Sequence, residues 1–122
     1  MSGPVTIRSD SLYDASIPGS AVVKYAIIDA ATSGDNTLVS AVTGKKIRVL
    51  SAVLVASNTV TVRFESAASG TALTGQMVLG ASTVVPFAYN PHGHFETAAG
   101  ALLNLELSGA VSVDGCLTYI EV

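Results

Sequence analysis

At 122 residues with a formal net charge of −3, the chain has the length of one domain with a real core. Charged residues make up only 12% and apolar residues 49%, against about 25% charged in an ordinary soluble domain. Such a charge-poor exterior implies that much of it is covered in an assembly.

The six basic residues, Arg8, Lys24, Lys45, Lys46, Arg48 and Arg63, all precede residue 64. Neutralising a phosphate backbone takes cations, and the chain offers only the Lys45, Lys46, Arg48 cluster, so no nucleic-acid partner is expected, with an anionic contact at that cluster the alternative to a solvated strand end. Cys116 is the single cysteine, which rules out an internal disulfide and a cysteine-based metal site. The N-terminus lacks the apolar core of a signal peptide, and synthesis in a reducing cytoplasm is the expectation. Residues 66–95 carry no formal charge, yet Gly70, Gly75, Gly80, Pro86 and Pro91 interrupt them too often for a membrane-spanning helix, so no membrane partner is expected.

Residues 1–20 contain Pro4, Pro18 and Gly19, are rich in Ser and show no sustained period. They read as an extended N-terminal arm or a disordered tail, ahead of one folded domain over 21–122. Val5, Ile7, Leu12, Tyr13 and Ile17 would anchor such an arm on a neighbouring subunit, because twenty extended residues span up to about 65 Å. Residues 22–30 predict a first strand with Val23, Tyr25 and Ile27 on the apolar face and Lys24 opposite. The Ser33, Gly34, Asp35, Asn36 cluster predicts a turn, and residues 37–42 a short second strand.

Residues 45–66 form the organising stretch. Ile47, Val49, Val53 and Val55 alternate in the first arm and Val60, Val62 and Phe64 in the second, with Ser57 and Asn58 between them, a pattern that predicts a long β-hairpin. The opposite face of the first arm changes from charged, at Lys46 and Arg48, to apolar, at Leu50, Ala52, Leu54 and Ala56. That half is apolar on both sides and needs a second covering surface: another sheet, an arm or another subunit. Leu50 and Leu54 are therefore candidate interface residues with Val5, Ile7 and Tyr13. Lys45, Lys46 and Arg48 are candidate docking residues, the ordinary reading being a solvated strand end that blunts edge pairing.

Brief strands are expected at 71–73 and 76–79. A better one spans 83–89, where Val85, Phe87 and Tyr89 alternate and Pro86 marks an edge or a bulge. After the loop Asn90-Pro91-His92-Gly93-His94 come a short strand at 94–97 and a strand with Ala101, Leu103, Leu105 and Leu107 opposite Asn104 and Glu106. In the last strand Val111, Val113, Leu117 and Tyr119 oppose Ser112, Asp114, Cys116 and Thr118, with Gly115 on the apolar side as a bulge or close backbone approach requires. Eight or so strands separated by turn chemistry, with no convincing helix, define an all-β antiparallel sandwich. Eight strands in two sheets favour a jelly roll, and an immunoglobulin-like order stays open.

Few constellations carry chemistry. His92 and His94 are the weak metal candidates, an i, i+2 pair with only Glu96 nearby, and a loop with solvated imidazoles is the plainer reading. Glu65, Glu96, Glu106, Asp114 and Glu121 are carboxylates that would matter only if they met in space, and on outward strand faces they read as solvated. No nucleophile elbow, phosphate loop or dinucleotide fingerprint is present, so no catalytic residue and no cofactor is expected. Cys116 reads as an inert, partly buried thiol, and Tyr25, Tyr89 and Tyr119 as core residues and not as sugar platforms.

From about Gly44 to Val122, the runs GKKIRVLSAVLVAS, TVTVRFES, TALTG and HFETAAGALLNLELSGAVSVDGCLTYIEV resemble small all-β virion proteins of tailed bacteriophages, in particular capsid decoration or cement proteins. The resemblance is one of texture, Ala, Ser, Thr, Gly and Val strands closing on Gly-x-Leu-x-Tyr, over about two thirds of the chain. It implies a homotrimeric jelly roll on the capsid surface that clamps subunits of the major capsid protein, often through an N-terminal arm, and it supplies no catalytic residue. A receptor- or glycan-binding module of a head fibre or tail tip is the alternative, and a small hydrolase on a sandwich scaffold the third reading.

Overall fold

The computed structural model describes residues 21–122, so the expected arm over residues 1–20, with Val5, Ile7 and Tyr13, lies outside the described residues. Ten strands follow in order: β1 (Lys24–Ala30), β2 (Gly34–Val39), β3 (Ile47–Ala56), β4 (Val60–Ser66), β5 (Thr71–Ala72), β6 (Met77–Leu79), β7 (Val84–Phe87), β8 (Phe95–Glu96), β9 (Leu103–Leu107) and β10 (Val113–Glu121). Among the described residues there is no helix.

The strands form two antiparallel sheets packed face to face. The first has the order β1-β10-β3-β7, with β8 also on β3, and the second β2-β9-β4-β5, with β6 also on β4. Pairing therefore joins β1 to β10, β2 to β9, β3 to β7 and β8, and β4 to β5 and β6. That nesting is one long hairpin rolled up so that alternate pairs fall in opposite sheets, which is the jelly-roll arrangement.

The expected hairpin over residues 45–66 is not formed. β3 and β4 lie in different sheets, and Ser57 to Thr59 carry the chain across the sandwich. The alternation of the second arm holds, since Val60, Val62 and Phe64 are buried, and that of the first arm holds only for Ile47 and Val49; alternation in any case does not say which strand is the neighbour. The Ser57 amide instead bonds the Ser112 carbonyl at 2.9 Å, and Asn58 Oδ1 accepts the Thr59 amide at 2.8 Å. β2 likewise begins earlier than expected, at Gly34, which takes φ 90° as it enters the strand.

Between Thr118 and Tyr119 the pairing jumps from Ser51 to Val49, so Leu50 is an extra, bulged residue. The bulge reverses the parity of β3. Ile47 and Val49 face the core below it, and Ala52, Leu54 and Ala56 face the core above it, while Val53 and Val55 turn outward. The loop over residues 90–94 stabilises this irregularity, because the Asn90 and His94 amides bond the carbonyls of Leu50 and Val49 at 2.9 and 2.8 Å. Gly93, at φ 87°, lies so close to Arg48 that a Cβ there would fall 2.5 Å from Arg48 Cγ.

The first strand is also inverted relative to expectation. Ile28 and Ala30 are buried, Ala26 packs against the core, and Tyr25 and Ile27 point to solvent. Lys24, in the inward set, stands at the exposed start of the strand and pairs with Glu121, whereas Asp29, in no ion pair among the described residues, shares a face with Tyr25 and Ile27, and burying an unpaired carboxylate costs more than exposing an aromatic ring. In the middle of the core Phe64 of the second sheet meets Phe95 at 4.9 Å and Phe87 at 5.9 Å between ring centroids, which joins the two layers. Gly115 is a close approach, since a Cβ there would fall 1.8 Å from the Val53 carbonyl oxygen.

Candidate functional site

The outer face of each sheet carries a distinct grouping. On the first sheet, register aligns Ile27, Cys116, Val53 and Pro86 in one row across β1, β10, β3 and β7, and Asp29, Asp114, Val55 and Val84 in the next. Tyr25 is 77% exposed and Ile27 71%, and Val53, Val55, Val84 and Cys116 are exposed as well. The thiol is thus open, not partly buried. Tyr25 and Tyr89 are exposed where core packing was expected, whereas Tyr119 does pack against the core.

Leu50 and Leu54 are not on this face as free interface residues. Both are fully buried within the chain itself, Leu54 beneath the second sheet, so its covering surface is the other layer of the same domain. Leu50 bulges outward onto Ile120, and Ala21, Val23 and Val122 cover that pair. The apolar residues that remain without cover are their outward neighbours Val53 and Val55.

The cationic cluster sits at the other end of β3. Arg48 Nε donates to Glu96 Oε1 at 2.8 Å, and Lys46 Nζ lies 3.3 Å from Glu96 Oε2. The hydrogen bond from Arg48, reinforced by Lys46, holds the Glu96 carboxyl below the ordinary glutamate range. The acidic neighbour expected for Lys46 and Arg48 is therefore supplied by this chain, and Lys45 is left as an exposed cation outside the ion pairs.

The second grouping is polar and covered. Asp35 of β2, Glu106 of β9 and Arg63 of β4 stand side by side across the outer face of the second sheet, with Asn104 and Glu65 paired in the adjoining register. Each of Asp35, Glu65 and Glu106 brings a carboxylate oxygen within 4.8 Å of the other two. Glu65 and Asn104 are completely buried although they sit on the outward face. The turn after β4 folds over this face: the Ser69 amide and hydroxyl both donate to Asp35 at 2.9 Å, with Ala67 and Ser69 at positive φ. Ordinary solvation, the expectation for Glu65 and Glu106, is replaced by internal partners at Glu65, while Glu106 stays partly exposed.

Three carboxylates so close have the donor chemistry of a hard cation site, yet the oxygens of Asp35 and Glu65 are already engaged. Arg63 Nε donates to Glu65 Oε2 at 2.9 Å. Asn104 Nδ2 donates to both Glu65 Oε1 and Asp35 Oδ1 at 2.9 Å. Its amide orientation is fixed, because Asn104 Oδ1 accepts the Asn36 backbone N–H at 2.8 Å. A donor, not an acceptor, thus points into the carboxylates. The Glu65 charge, then partial burial and the hydrogen bond to Glu65, push the Glu106 carboxyl above the ordinary glutamate range, while the Ser69 amide and hydroxyl hold Asp35 below the usual aspartate range. Asp35 ties the turn to the sheet, and Arg63 and Asn104 hold the buried Glu65.

His92 and His94 do not converge with Glu96 on one point, and the three carboxylates are the only such group among the described residues. His94 Nε2 lies 2.6 Å from the Ala88 carbonyl and its ring meets Phe87 edge-on at 5.4 Å, so this imidazole fastens the loop, while His92 is exposed. Asp35, Arg63 and Asn104 were absent from the sequence candidates. The available signal was Arg63-x-Glu65, an opposite-charge pair that period two places on one face of one strand.

Comparison of the chain with family models, with curated proteins and with solved structures gives no match.

Proposed function

We propose that this chain is a structural virion protein, a capsid decoration protein that works as a homotrimer and docks on a phage shell to hold neighbouring shell subunits together. The observation that carries this reading is the outer face of the first sheet, where Tyr25, Ile27, Val53, Val55 and Val84 stand exposed on β1, β3 and β7. Contiguous apolar surface of this kind marks contact with another macromolecule. The low charge content and the texture shared with phage cement proteins supply the identity of the partner, and the self-engaged carboxylate cluster favours a structural role over hydrolysis.

The test uses particles assembled without this protein. Adding back the native chain is expected to restore their resistance to heat and pressure, and Ile27→Asp/Val53→Asp to fail while keeping a native melting profile. Particles that are fully resistant without the protein overturn the clamp, and light scattering that gives a monomer mass overturns the trimer. One observation favours a second reading, a glycan-binding fibre or tail-tip module: Tyr25 presents an aromatic ring to solvent, a surface on which a sugar ring can stack. Glycan binding by the isolated protein that Tyr25→Ala abolishes would select it.

A further inference from the structure

Open sheets end in edge strands, and most of the edges of this sandwich are blunted. β7 is four residues long and carries Pro86, which has no N–H to offer, and β8 beside it has two residues. β5 and β6 have two and three. β2 slips register between Thr37 and Val39, and the Asn36 side chain lies along its own strand, with Nδ2 donating to the Thr32 and Gly34 carbonyls at 2.8 and 3.2 Å. β1 has none of these devices. It runs seven residues, about 23 Å, without Pro, Gly or a register shift, and pairs with β10 alone. Its lysine, Lys24, is turned back onto Glu121 of β10 at 3.2 Å. In an antiparallel pair every second residue directs its N–H and C=O away from the neighbour. β1 therefore presents a row of such groups at the sheet edge, and none has a backbone partner among the described residues.

We infer that β1 receives an extended segment of the shell subunit, which adds to the first sheet as a new edge strand. The inference rests on the docking reading above and names the contact that makes it. Tyr25, Ile27 and Asp29 stand exposed in turn on the outer face of β1. A strand laid beside β1 sets its same-face residues about 5 Å from these, so the segment it takes is apolar opposite Tyr25 and Ile27 and basic opposite Asp29. Asp29 already faces Asp114 across the β1–β10 register, and neither forms an ion pair among the described residues. Like charges directly opposite destabilise a strand pair, and a lysine or arginine on the open side of Asp29 relieves that cost. Symmetry argues against a second copy as the occupant. β1 paired with its own counterpart across a two-fold axis closes a dimer and not a trimer, and a head-to-tail contact needs a second open edge, where β2 and β5 to β8 are blunted or short.

Hydrogen exchange of the peptide covering 24–30, read by mass spectrometry, tests this in the full-length chain, free and bound to particles assembled without it. In the free chain about half of these amides are expected to exchange fast, and on particles to slow at least about tenfold. Ala26→Pro and Ile27→Pro alter consecutive residues, so one of them removes an edge-facing N–H and keeps every bond to β10. That variant should melt as the native chain does and bind particles at least about tenfold more weakly. Asp29→Lys leaves the backbone intact and should weaken binding as well, which keeps the test alive if both proline variants unfold. Slow exchange of all of 24–30 in the dilute free chain overturns the inference, because the edge is then already covered. Slowing that appears in the free chain only as its concentration rises overturns it in favour of a second copy. Unchanged exchange in native chain that is bound to particles overturns strand addition and leaves docking by the face standing, whereas failure of the native chain to bind overturns both.

Discussion

The two outer faces of this sandwich invert the usual distribution of polarity, and in opposite ways. The first sheet shows solvent an aromatic ring, an isoleucine and three valines, while the second buries a glutamate and an asparagine under its own turn. On the second face Asp35, Arg63, Glu65 and Asn104 are bonded to one another or to the covering turn, so that part of the surface is finished within the chain. On the first the only finished part is the lower end, where Ala21 and Val23 cover Leu50 and Glu96 pairs with Arg48 and Lys46. The contrast locates the contact surface better than composition does, because it separates apolar residues that the fold needs from those it leaves outside.

The largest expected effect tests that separation within one strand. Leu54→Asp puts a carboxylate in the closed core and should cost at least about 4 kcal/mol, enough to unfold a marginal domain. Val53→Asp, one residue away, should stay within about 0.5 kcal/mol of native stability in urea. Equal costs at the two positions would mean that both faces of β3 are buried in the free protein. Next comes Glu65→Ala, which leaves Arg63 without its acceptor and Asn104 Nδ2 with Asp35 alone. It should cost about 2 to 3 kcal/mol, the Arg63 end of the pair being partly open to water. A loss below about 0.5 kcal/mol would show that the covered face owes nothing to this network.

Face by face, alternation was legible where only one choice of face was chemically tolerable. Leu103, Leu105 and Leu107 went inside because the other choice buries Asn104 and Glu106 on the core side, and Gly115 was readable as a close approach. Pro86 was readable as well, and β7 does lie at the edge of its sheet. Three things were not legible. Strand partners were not, since β3 and β4 share a core without sharing a hydrogen bond. The bulge at Leu50 was not, since nothing in an unbroken apolar run marks where the parity changes. The carboxylate cluster was not, because it depends on register between β2, β9 and β4 and on a turn that covers them, although Asp29 beside Tyr25 and Ile27 did hold the clue to the open face of the first sheet.

Protonation supplies a smaller and more selective test of the covered face. The Glu106 carboxyl is pushed up in the folded protein, so the folded state favours its protonated form. The stability this confers is complete below the ordinary value of 4.5 and is lost as pH rises through the folded value. Glu106→Gln keeps a donor toward Glu65 without the charge, so it should melt higher than the native protein at pH 8 and no higher at pH 4. Asp35 and Glu96 act with the opposite sign, since both are held below their ordinary values and their contributions disappear as the solution becomes acidic. A pH-independent difference between Glu106→Gln and native would mean that Glu106 titrates as a free side chain.

The smallest effect belongs to the finished end of the first face. Lys46 is half exposed and shares Glu96 with Arg48, whose bond is shorter and whose stem is held under Gly93. Removing Lys46 leaves that carboxylate its better partner, so Lys46→Ala should shift stability by less than about 0.5 kcal/mol, and the shift should fade as salt is added. A substitution so mild for the fold becomes informative on particles. If binding of Lys46→Ala to shells is unchanged while Ile27→Asp/Val53→Asp is lost, docking is an apolar contact made by the open half of the face. If Lys46→Ala alone weakens binding and added salt does the same to the native protein, the shell reads the charged end, and the open valines must have another occupant.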